Sequence, residues 1–282
     1  MGVEQAGTFL LGGDLPVHRL GFGAMRITGQ GIWGEPPDEA EAKRVLRRAV
    51  ELGVNLIDTS DSYGPDVSER LIGETLAPYP RGLVVATKGG LMRPGPDQWT
   101  RNGDPAHLRK ACEGSLKRLK VERIDVYQLH APDAKVPLEE QLGALAQLQR
   151  EGKIRHIGVS NFDVKQLELA TAVVKVVSVQ NRYNLADRSS QDVLEWCEKR
   201  GVAFIPWRPL GVEGLEDGPL AEIAKRHQAE PSQIALAWLL ASSKVMLPIP
   251  GTGSVKHLEE NCAAAKIRLS DDEVRQLREL RS

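Results

Sequence analysis

The sequence predicts an α/β protein, a (β/α)8 barrel preceded by a short N-terminal β-hairpin. Amphipathic helical segments alternate with eight short apolar runs along almost the whole chain. The apolar runs lack polar alternation, which is typical of parallel strands that are buried on both faces. The residues that end these runs recur about every 32 positions, the length of one strand–helix–strand unit. A doubly wound open sheet is the alternative that this pattern leaves open.

The N-terminal elements follow from local signals. Residues 8–20 predict the hairpin, since a Gly-Gly-Asp turn at 12–14 separates two short apolar runs. Residues 21–25 are expected to form the first barrel strand. A helix is expected to begin at Asp38, with Glu41 three residues later completing a capping box, and to end at Gly53. A strand at 54–59 follows.

The later elements repeat this alternation. A helix is expected from Pro137 to Gly152, followed by a strand at 157–160. Further strands are predicted at 83–87, 124–129, 176–180, 202–206 and 245–249, each after a helical stretch. The eight strands are expected to end at Gly23, Asp58, Lys88, His130, Ser160, Gln180, Trp207 and Pro250.

The composition is that of an ordinary globular protein and excludes several function classes. Of the 282 residues, 41% are hydrophobic and 27% charged, and we expect one domain over residues 1–282. The net charge of −1 excludes the basic surface that nucleic acid or anionic lipid requires. No apolar run reaches the roughly 18 residues of a membrane helix, and the N-terminus does not resemble a secretory signal. We expect a cytoplasmic protein that is a monomer or a weak oligomer.

The three cysteines are interpreted as reduced thiols within helices. Cys112, Cys197 and Cys262 are odd in number, widely spaced and outside any Cys/His metal pattern. No metal site is therefore expected.

Four ionisable residues follow consecutive predicted strands. Asp58 and Lys88 end the second and third strands, His130 ends the fourth, and Tyr63 lies in the loop after the second. In a closed barrel these strands are neighbours, so the four side chains are expected to meet at one rim. Individually, each has a structural alternative, such as a turn cap, a solvated ammonium or a core histidine. Together they favour a catalytic group.

The chemistry of this group favours proton transfer. A tyrosine near its reference pKa of about 10 is a poor acid at neutral pH, and a nearby cation is expected to lower that pKa. Lys88 supplies the cation, and Asp58 keeps the buried lysine charged. His130 then serves as a neutral donor that orients a carbonyl oxygen.

The later strand ends predict a site for a flat ligand. Ser160, Asn161 and Gln180 offer hydrogen bonds to a carboxamide, and Trp207 offers a stacking face. The Gly/Ser-rich segment 250–254 leads into a helix whose first amides suit a phosphate. Because the chain has neither a GxGxxG nor a Walker motif, a bound nucleotide would need a site unlike the Rossmann type.

The sequence resembles the aldo-keto reductases over essentially its whole length. The matching segments are GFGAM at 21–25, IDTSDSYG at 57–64, SE at 68–69, ATK at 86–88, QLH at 128–130, GVSN at 158–161, QNRYN at 180–184, PLG at 209–211, IPG at 249–251 and EN at 260–261. The resemblance implies a (β/α)8 barrel that uses NADPH to reduce an aldehyde or ketone to the alcohol. Hydride would come from nicotinamide C4 and the proton from Tyr63, with Asp58 and Lys88 tuning Tyr63 and His130 orienting the carbonyl.

The resemblance also implies which residues touch the cofactor. They are Gly23, Ala24, Met25, Asp58, Ser160, Asn161, Gln180, Trp207, Arg208, Pro209, Leu210, Gly211, Gly251, Thr252, Ser254, His257, Glu260 and Asn261. The substrate pocket is expected to combine Tyr63 and His130 with Trp33 and Trp99 from long loops, although each tryptophan could instead simply pack its loop.

Two departures from the family pattern bear on cofactor choice. Gly251 and His257 stand where much of the family has Lys and Arg, so the preference for NADPH over NADH is expected to be modest, with Lys256 as another cationic contact. Arg208 stands where many members have serine, and it either reaches a phosphate or forms a rim ion pair. The segments 23–34 and 58–64 look most like a bacterial subgroup that includes pyridoxal reductases.

Two other functions stay open at this point. Lys88 as the Schiff-base lysine of an aldolase would have to be neutral, which a partner such as Asp58 disfavours. The other is a nucleotide-binding accessory protein that senses redox state and turns over slowly.

Overall fold

The core of the structure is a curved parallel sheet wrapped by helices. The structure, a computed structural model, describes residues 2–280 except 213 and 216. The sheet has seven parallel strands, β3 Phe22–Gly23, β4 Leu56–Asp58, β5 Val84–Gly89, β8 Ile124–Leu129, β9 Ile154–Ser160, β10 Val176–Arg182 and β11 Ala203–Trp207. They are hydrogen-bonded in the order β11-β10-β9-β8-β5-β4-β3.

The segment 245–250 closes this sheet into a barrel. On one side, the amides of Gly21 and Gly23 donate to the carbonyls of Pro248 and Pro250. On the other side, Phe204 of β11 exchanges backbone hydrogen bonds with Val245 and Leu247. The predicted eighth strand is therefore present as a closing segment but not as a regular ladder. The reason is that Pro248 and Pro250 have no N–H to donate.

Helices cover the outside of the barrel; most of them connect successive strands, and the last two follow the closing segment. Their bounds are α1 Glu39–Glu51, α2 Val67–Leu76, α3 Pro105–Leu119, α4 Leu138–Arg150, α5 Val164–Val173, α6 Gln191–Arg200, α7 Pro219–Arg226, α8 Pro231–Ser242, α9 Val255–Ala263 and α10 Asp271–Glu279. Each buries an apolar stripe, as Leu142, Leu145 and Leu148 of α4 do. The three cysteines lie buried and unpaired in α3, α6 and α9, as predicted.

The N-terminal hairpin covers the amino end of the barrel. Strands β1 (Thr8–Leu11) and β2 (Leu15–His18) are antiparallel, which confirms the predicted hairpin. The side chain of Asn55, just before β4, bonds to the backbone of Pro16 and His18. Leu11, Leu15 and Val17 join the apolar cluster inside the barrel. A second, short hairpin, β6 (Leu91–Met92) with β7 (Thr100–Arg101), lies in the loop after β5.

One local prediction is half right. Asp38 caps α1 by accepting from the amide of Glu41, as expected. The side chain of Glu41, however, does not turn back to Asp38. It bonds to Arg44 and to the backbone amide of Val255 at the start of α9.

Within the described residues, no helix is long and apolar enough to span a bilayer.

Candidate active site

Lys88 is the centre of the site. Its side chain is fully buried on β5, and Nζ donates to Asp58 Oδ1 at 2.6 Å, to the carbonyl of Thr59 at 2.8 Å and to the hydroxyl of Tyr63 at 3.3 Å. An ammonium has three protons, and these three acceptors can take all of them. Tyr63 is held in the loop after β4 by a bond from its amide to the carbonyl of Ser60. The carboxylate, ammonium and phenol therefore form one connected chain.

Two glutamines fix the other oxygen of Asp58. Gln128 of β8 and Gln180 of β10 donate their side-chain amides to Oδ2 at 3.0 and 2.9 Å. With Lys88 on Oδ1, the buried carboxylate accepts three hydrogen bonds, which offset the cost of burying it. Sequence reasoning assigned no role to Gln128. The signal was its place one residue before the end of the strand that His130 follows.

The electrostatics differ in part from the prediction. Burial raises the pKa of Tyr63 above its ordinary value of 10.0, and the opposing effect of the Lys88 charge does not overcome it. The expectation of a lowered phenol pKa in the ligand-free protein is therefore wrong, since desolvation outweighs the cation. Burial also works to lower the pKa of Lys88, but Asp58 beside it leaves that pKa raised, so the lysine stays charged.

His130 lies next to Tyr63 and is neutral. The two rings meet edge to face with centroids 5.9 Å apart. Burial and the charge of Lys88 hold the pKa of His130 well below 6.5. Nδ1 lies 3.1 Å from the hydroxyl oxygen of Ser60. If Ser60 donates to Nδ1, the proton of the neutral ring is on Nε2, ready to be donated to a ligand.

A cleft of about 250 Å³ opens beside Tyr63 and Asp58. It is lined by Gly23, Ala24, Met25, Arg26, Asp58, Tyr63, Gln180, Trp207, Arg208, Pro209, Leu210, Gly211, Ile249 and Gly251. Most of these residues were expected to contact a cofactor. Tyr63 was expected as the proton donor, whereas Arg26, which follows the GFGAM motif, and Ile249, which begins the IPG motif, were assigned no role.

Glycine is required where the two edges of the barrel meet under this cleft. A Cβ on Gly23 would lie 2.6 Å from the carbonyl oxygen of Ile249, and one on Gly251 would lie 2.6 Å from that of Gly23. Both contacts are with backbone atoms, which cannot move aside cheaply. The bare backbone here leaves the floor of the cleft open to a ligand.

Ser160 and Asn161 lie beside the cleft and support it. Ser160 is buried and donates to the carbonyl of Gln180. Asn161 has a left-handed backbone and donates to the carbonyl of His130, while its Oδ1 accepts from the indole N–H of Trp207 at 3.1 Å. Asn161 thus connects the histidine strand to the tryptophan that faces the cleft.

The expected residues after the closing segment lie farther away. Thr252 accepts from the amide of Ser254, whereas His257 and Lys256 are exposed on α9. Glu260 is half-buried near the ammonium of Lys256, and Asn261 is buried. The first amide of α9, on Val255, is already taken by Glu41 at 3.0 Å, and this bond lowers the pKa of Glu41. Of the predicted C-terminal set, the cleft directly includes only Gly251 among the described residues.

Of the two loop tryptophans, Trp99 lies beside His130. The Trp99 ring centroid is 6.4 Å from that of His130, in an edge-to-face arrangement. Trp33 is not in ring contact with His130 among the described contacts, and both tryptophans contact the guanidinium of Arg93. Sequence reasoning missed Arg93, because an arginine in a Pro/Gly-rich loop is typical of solvated surface.

Known proteins resemble this chain over nearly its whole length. The model of the aldo/keto reductase family matches residues 19–282. An uncharacterized oxidoreductase of Schizosaccharomyces pombe is 50% identical over 271 residues, covering 95% of this chain and 88% of that protein. Pyridoxine 4-dehydrogenase of Escherichia coli is 41% identical over 276 residues, covering 95% of this chain and 96% of that protein.

Solved structures agree with this assignment. An aldo/keto reductase from Klebsiella pneumoniae, solved in complex with NADP and acetate and also with NADPH, superposes with a TM-score of 0.82 at 27% identity. The match covers 96% of this chain and 93% of that one. The closed barrel agrees with the folds of these structures, and the family match covers nearly the whole chain: the protein is an oxidoreductase of the aldo/keto reductase family.

Proposed function

We propose that the protein reduces an aldehyde or ketone to the alcohol with NADPH, using Tyr63 as the proton donor. The observation that carries this proposal is the bonding of one charged lysine to both Asp58 and the Tyr63 hydroxyl, next to a neutral His130. An acid and a hydrogen-bond donor at one cleft suit an oxygen that gains negative charge during reaction.

The cleft fits a nicotinamide cofactor. Trp207 offers a flat face, and its indole is held by Asn161. Arg26 and Arg208 line the same cleft and supply positive charge for phosphates. The K. pneumoniae relative binds NADP and NADPH, which supports this choice. The bound cofactor supplies the hydride.

The chain's own residues would handle the proton and the orientation. His130, kept neutral by burial, donates to the carbonyl oxygen and aligns it with Tyr63. Tyr63 gives its proton to that oxygen as negative charge develops there. Lys88 stabilises the phenolate that is left, and Asp58 with its two glutamine donors keeps Lys88 charged and in place.

We place the adenosine end near the start of α9, where Thr252, Ser254, His257, Glu260 and Asn261 lie. The preference for NADPH over NADH is modest, because Gly251 and His257 add no permanent charge and Glu41 already holds one helix amide. Exposed Lys256 and the cleft residues Arg26 and Arg208 are cations that can interact with the phosphates.

The substrate we propose first is pyridoxal or another small aromatic aldehyde. The E. coli relative is a pyridoxine 4-dehydrogenase and is 41% identical to this chain. Trp33 and Trp99 provide aromatic surface on the His130 side of the site.

A redox-sensing accessory protein with slow turnover is the second candidate, and a Schiff-base aldolase is disfavoured. An aldolase needs a neutral lysine, whereas Lys88 forms a 2.6 Å ion pair with Asp58 that leaves its pKa raised. The accessory function shares the cofactor cleft, so only the turnover rate separates it from the enzyme.

The test measures NADPH oxidation by absorbance with pyridoxal, 4-nitrobenzaldehyde and ketosugars as substrates. The same measurements are repeated with NADH. Tyr63→Phe should lower kcat by about 100-fold or more and leave the Kd of NADPH nearly unchanged, because it removes the proton donor. If the variant retains more than about a third of the wild-type kcat with chemistry rate-limiting, another group is the acid. Binding of NADPH without measurable turnover on the panel favours the accessory protein.

A further inference from the structure

Arg93 is a buried cation whose hydrogen bonds go to backbone. It follows β6, and only 8% of it is exposed. Its five N–H protons point to carbonyl oxygens of Gln98 (2.9 Å), Ile32 (2.7 Å), Ser62 (3.3 Å), Gly31 (2.8 Å) and Gly95 (3.5 Å). A guanidinium whose five N–H donors all bond to backbone carbonyls fixes the segments that carry those carbonyls, and it has few donors left for a ligand.

These bonds join three separate loops at the carboxyl end of the barrel. Gly31 and Ile32 belong to the loop after β3, Ser62 to the loop after β4, and Gln98 to the loop that contains Arg93. The first two loops also meet directly, since the amide of Gly34 donates to the carbonyl of Gly64. The Ser62 loop carries Tyr63 at its next position. Arg93 therefore fixes the loops that surround the proposed proton donor.

Arg93 also covers one face of Trp99. Its Cζ lies 3.9 Å from the Trp99 ring centroid, within the range of a strong cation–π contact, and 5.7 Å from that of Trp33. Trp99 is 38% exposed, although its edge-to-face contact with His130 places it at the site. An indole with one face on a guanidinium and a large exposed area beside a catalytic imidazole is a ready stacking surface.

We infer that Arg93 is a positioning residue that holds Trp99 as a rigid wall beside His130, and that this wall selects planar aromatic carbonyl substrates. The inference rests on the proposed function and adds to it the residue that sets the substrate class. A planar aldehyde stacked on Trp99 would bring its carbonyl to the His130 and Tyr63 side. A small aliphatic aldehyde gains little from the wall.

Lysine cannot replace Arg93 in this arrangement. An ammonium has three donors, not five, and has no flat face to stack on an indole. Arg93→Lys should therefore behave like Arg93→Met toward aromatic substrates, although it keeps the charge. Arg101, on β7 of the same short hairpin, is a matched control, because it is exposed and donates to a single carbonyl, that of Pro132.

The test compares kcat and KM for 4-nitrobenzaldehyde and butanal in the wild type, Arg93→Met, Arg93→Lys, Trp99→Leu and Arg101→Met. For the two Arg93 variants and Trp99→Leu, we expect KM for nitrobenzaldehyde to rise about tenfold or more, and KM for butanal to change less than about threefold. The Kd of NADPH should stay within about threefold of wild type, and any loss of kcat in the Arg93 variants, whose hydrogen bonds also fix the loop that carries Tyr63, should be the same for both aldehydes. Arg101→Met should match the wild type throughout.

Near-ultraviolet circular dichroism of the ligand-free proteins gives a readout that does not depend on activity. Arg93→Met should lose tryptophan signal, and Arg101→Met should keep it. Equal KM changes for both aldehydes, or wild-type dichroism in Arg93→Met, would overturn the inference. If the Arg93 variants fail to fold, Trp99→Leu decides, because it removes the wall and leaves the loop bonds. A wild type that reduces no carbonyl contradicts the proposed function instead, and the dichroism still tests the placement of Trp99.

Discussion

The ammonium of Lys88 lies 3.3 Å from the hydroxyl oxygen of Tyr63, yet the pKa of that phenol stays above 10.0. Burial raises it more than the cation lowers it. The phenol is therefore protonated over the whole range in which the protein would be assayed. Tyr63 therefore keeps the proton that reduction needs, whereas its phenolate form, the base that alcohol oxidation needs, is sparsely populated.

The pH dependence should differ between the two directions. For reduction, kcat/KM should be flat from about pH 6 to about pH 9, because Tyr63 keeps its proton and His130, with its pKa well below 6.5, stays neutral. For alcohol oxidation, the rate should rise with pH across the same interval, since the phenolate is the required form. Profiles measured in both directions check this. A reduction profile with a midpoint near 6.5 would show that His130 titrates during the reaction.

Lys88 and Asp58 should behave as one unit. Lys88→Met removes a charge whose bare interaction with the Tyr63 phenolate is about 4 kcal/mol at 4 Å and an effective dielectric near 20. The substitution should therefore raise the phenol pKa further and lower kcat/KM about 100-fold. Asp58→Asn should cost about tenfold, because it leaves the cation but removes the partner that keeps it charged. The double variant should be much less impaired than the product of the two losses. A double-mutant cycle in kcat/KM measures this, and strictly additive losses would mean independent roles.

Glu41→Gln should strengthen NADPH binding. The Glu41 carboxylate accepts from the Val255 amide at the start of α9 and opposes a phosphate there. Removing its charge should lower the Kd of NADPH about three- to tenfold and leave the Kd of NADH within twofold. Fluorescence titrations at low and high salt check this, and the gain should shrink with salt. Glu39→Gln on the same helix is the control, since Glu39 pairs with Lys43 and Arg70. An equal gain for NADH would place the 2′-phosphate elsewhere.

The three thiols should be unreactive in the native protein. Burial raises the pKa of Cys112 and Cys262 to about 12, and that of Cys197 also lies above its ordinary value. A thiol with such a pKa has almost no thiolate at pH 8. An aromatic disulfide reagent should therefore label the native protein slowly and all three cysteines rapidly in denaturant. Fast labelling of one native cysteine would show local opening of its helix.

The barrel was predictable because the sequence period reports it directly. Predicting strands that place Asp58, Lys88 and Gln180 at or near their carboxyl ends needs only an apolar run and the known geometry of parallel barrels, although β5 and β10 extend to Gly89 and Arg182. Side-chain direction needs the tertiary structure. Glu41 fits a capping box in the sequence, but in the folded chain α9 offers it an amide from 214 positions away. Arg93 has no periodic signal, since its partners are carbonyls in loops far apart in the chain.

The direction of the pKa shift of Tyr63 could not be predicted from the sequence, for a different reason. Its sign depends on the balance between burial and a nearby charge, and a sequence gives the charge but not the degree of burial. The single-domain organisation over residues 1–282, the cytoplasmic location and the monomeric or weakly oligomeric state stay predictions.

The closing segment of the barrel links ligand binding to the integrity of the whole chain. The cleft floor is built from Gly23 near one terminus and from Ile249 and Gly251 near the other. A ligand in that cleft would contact both of these segments. It would therefore add to the few backbone hydrogen bonds that close the barrel there. Because the ligand binds only the closed barrel, the resistance of the protein to heat and proteolysis should grow with the ligand concentration.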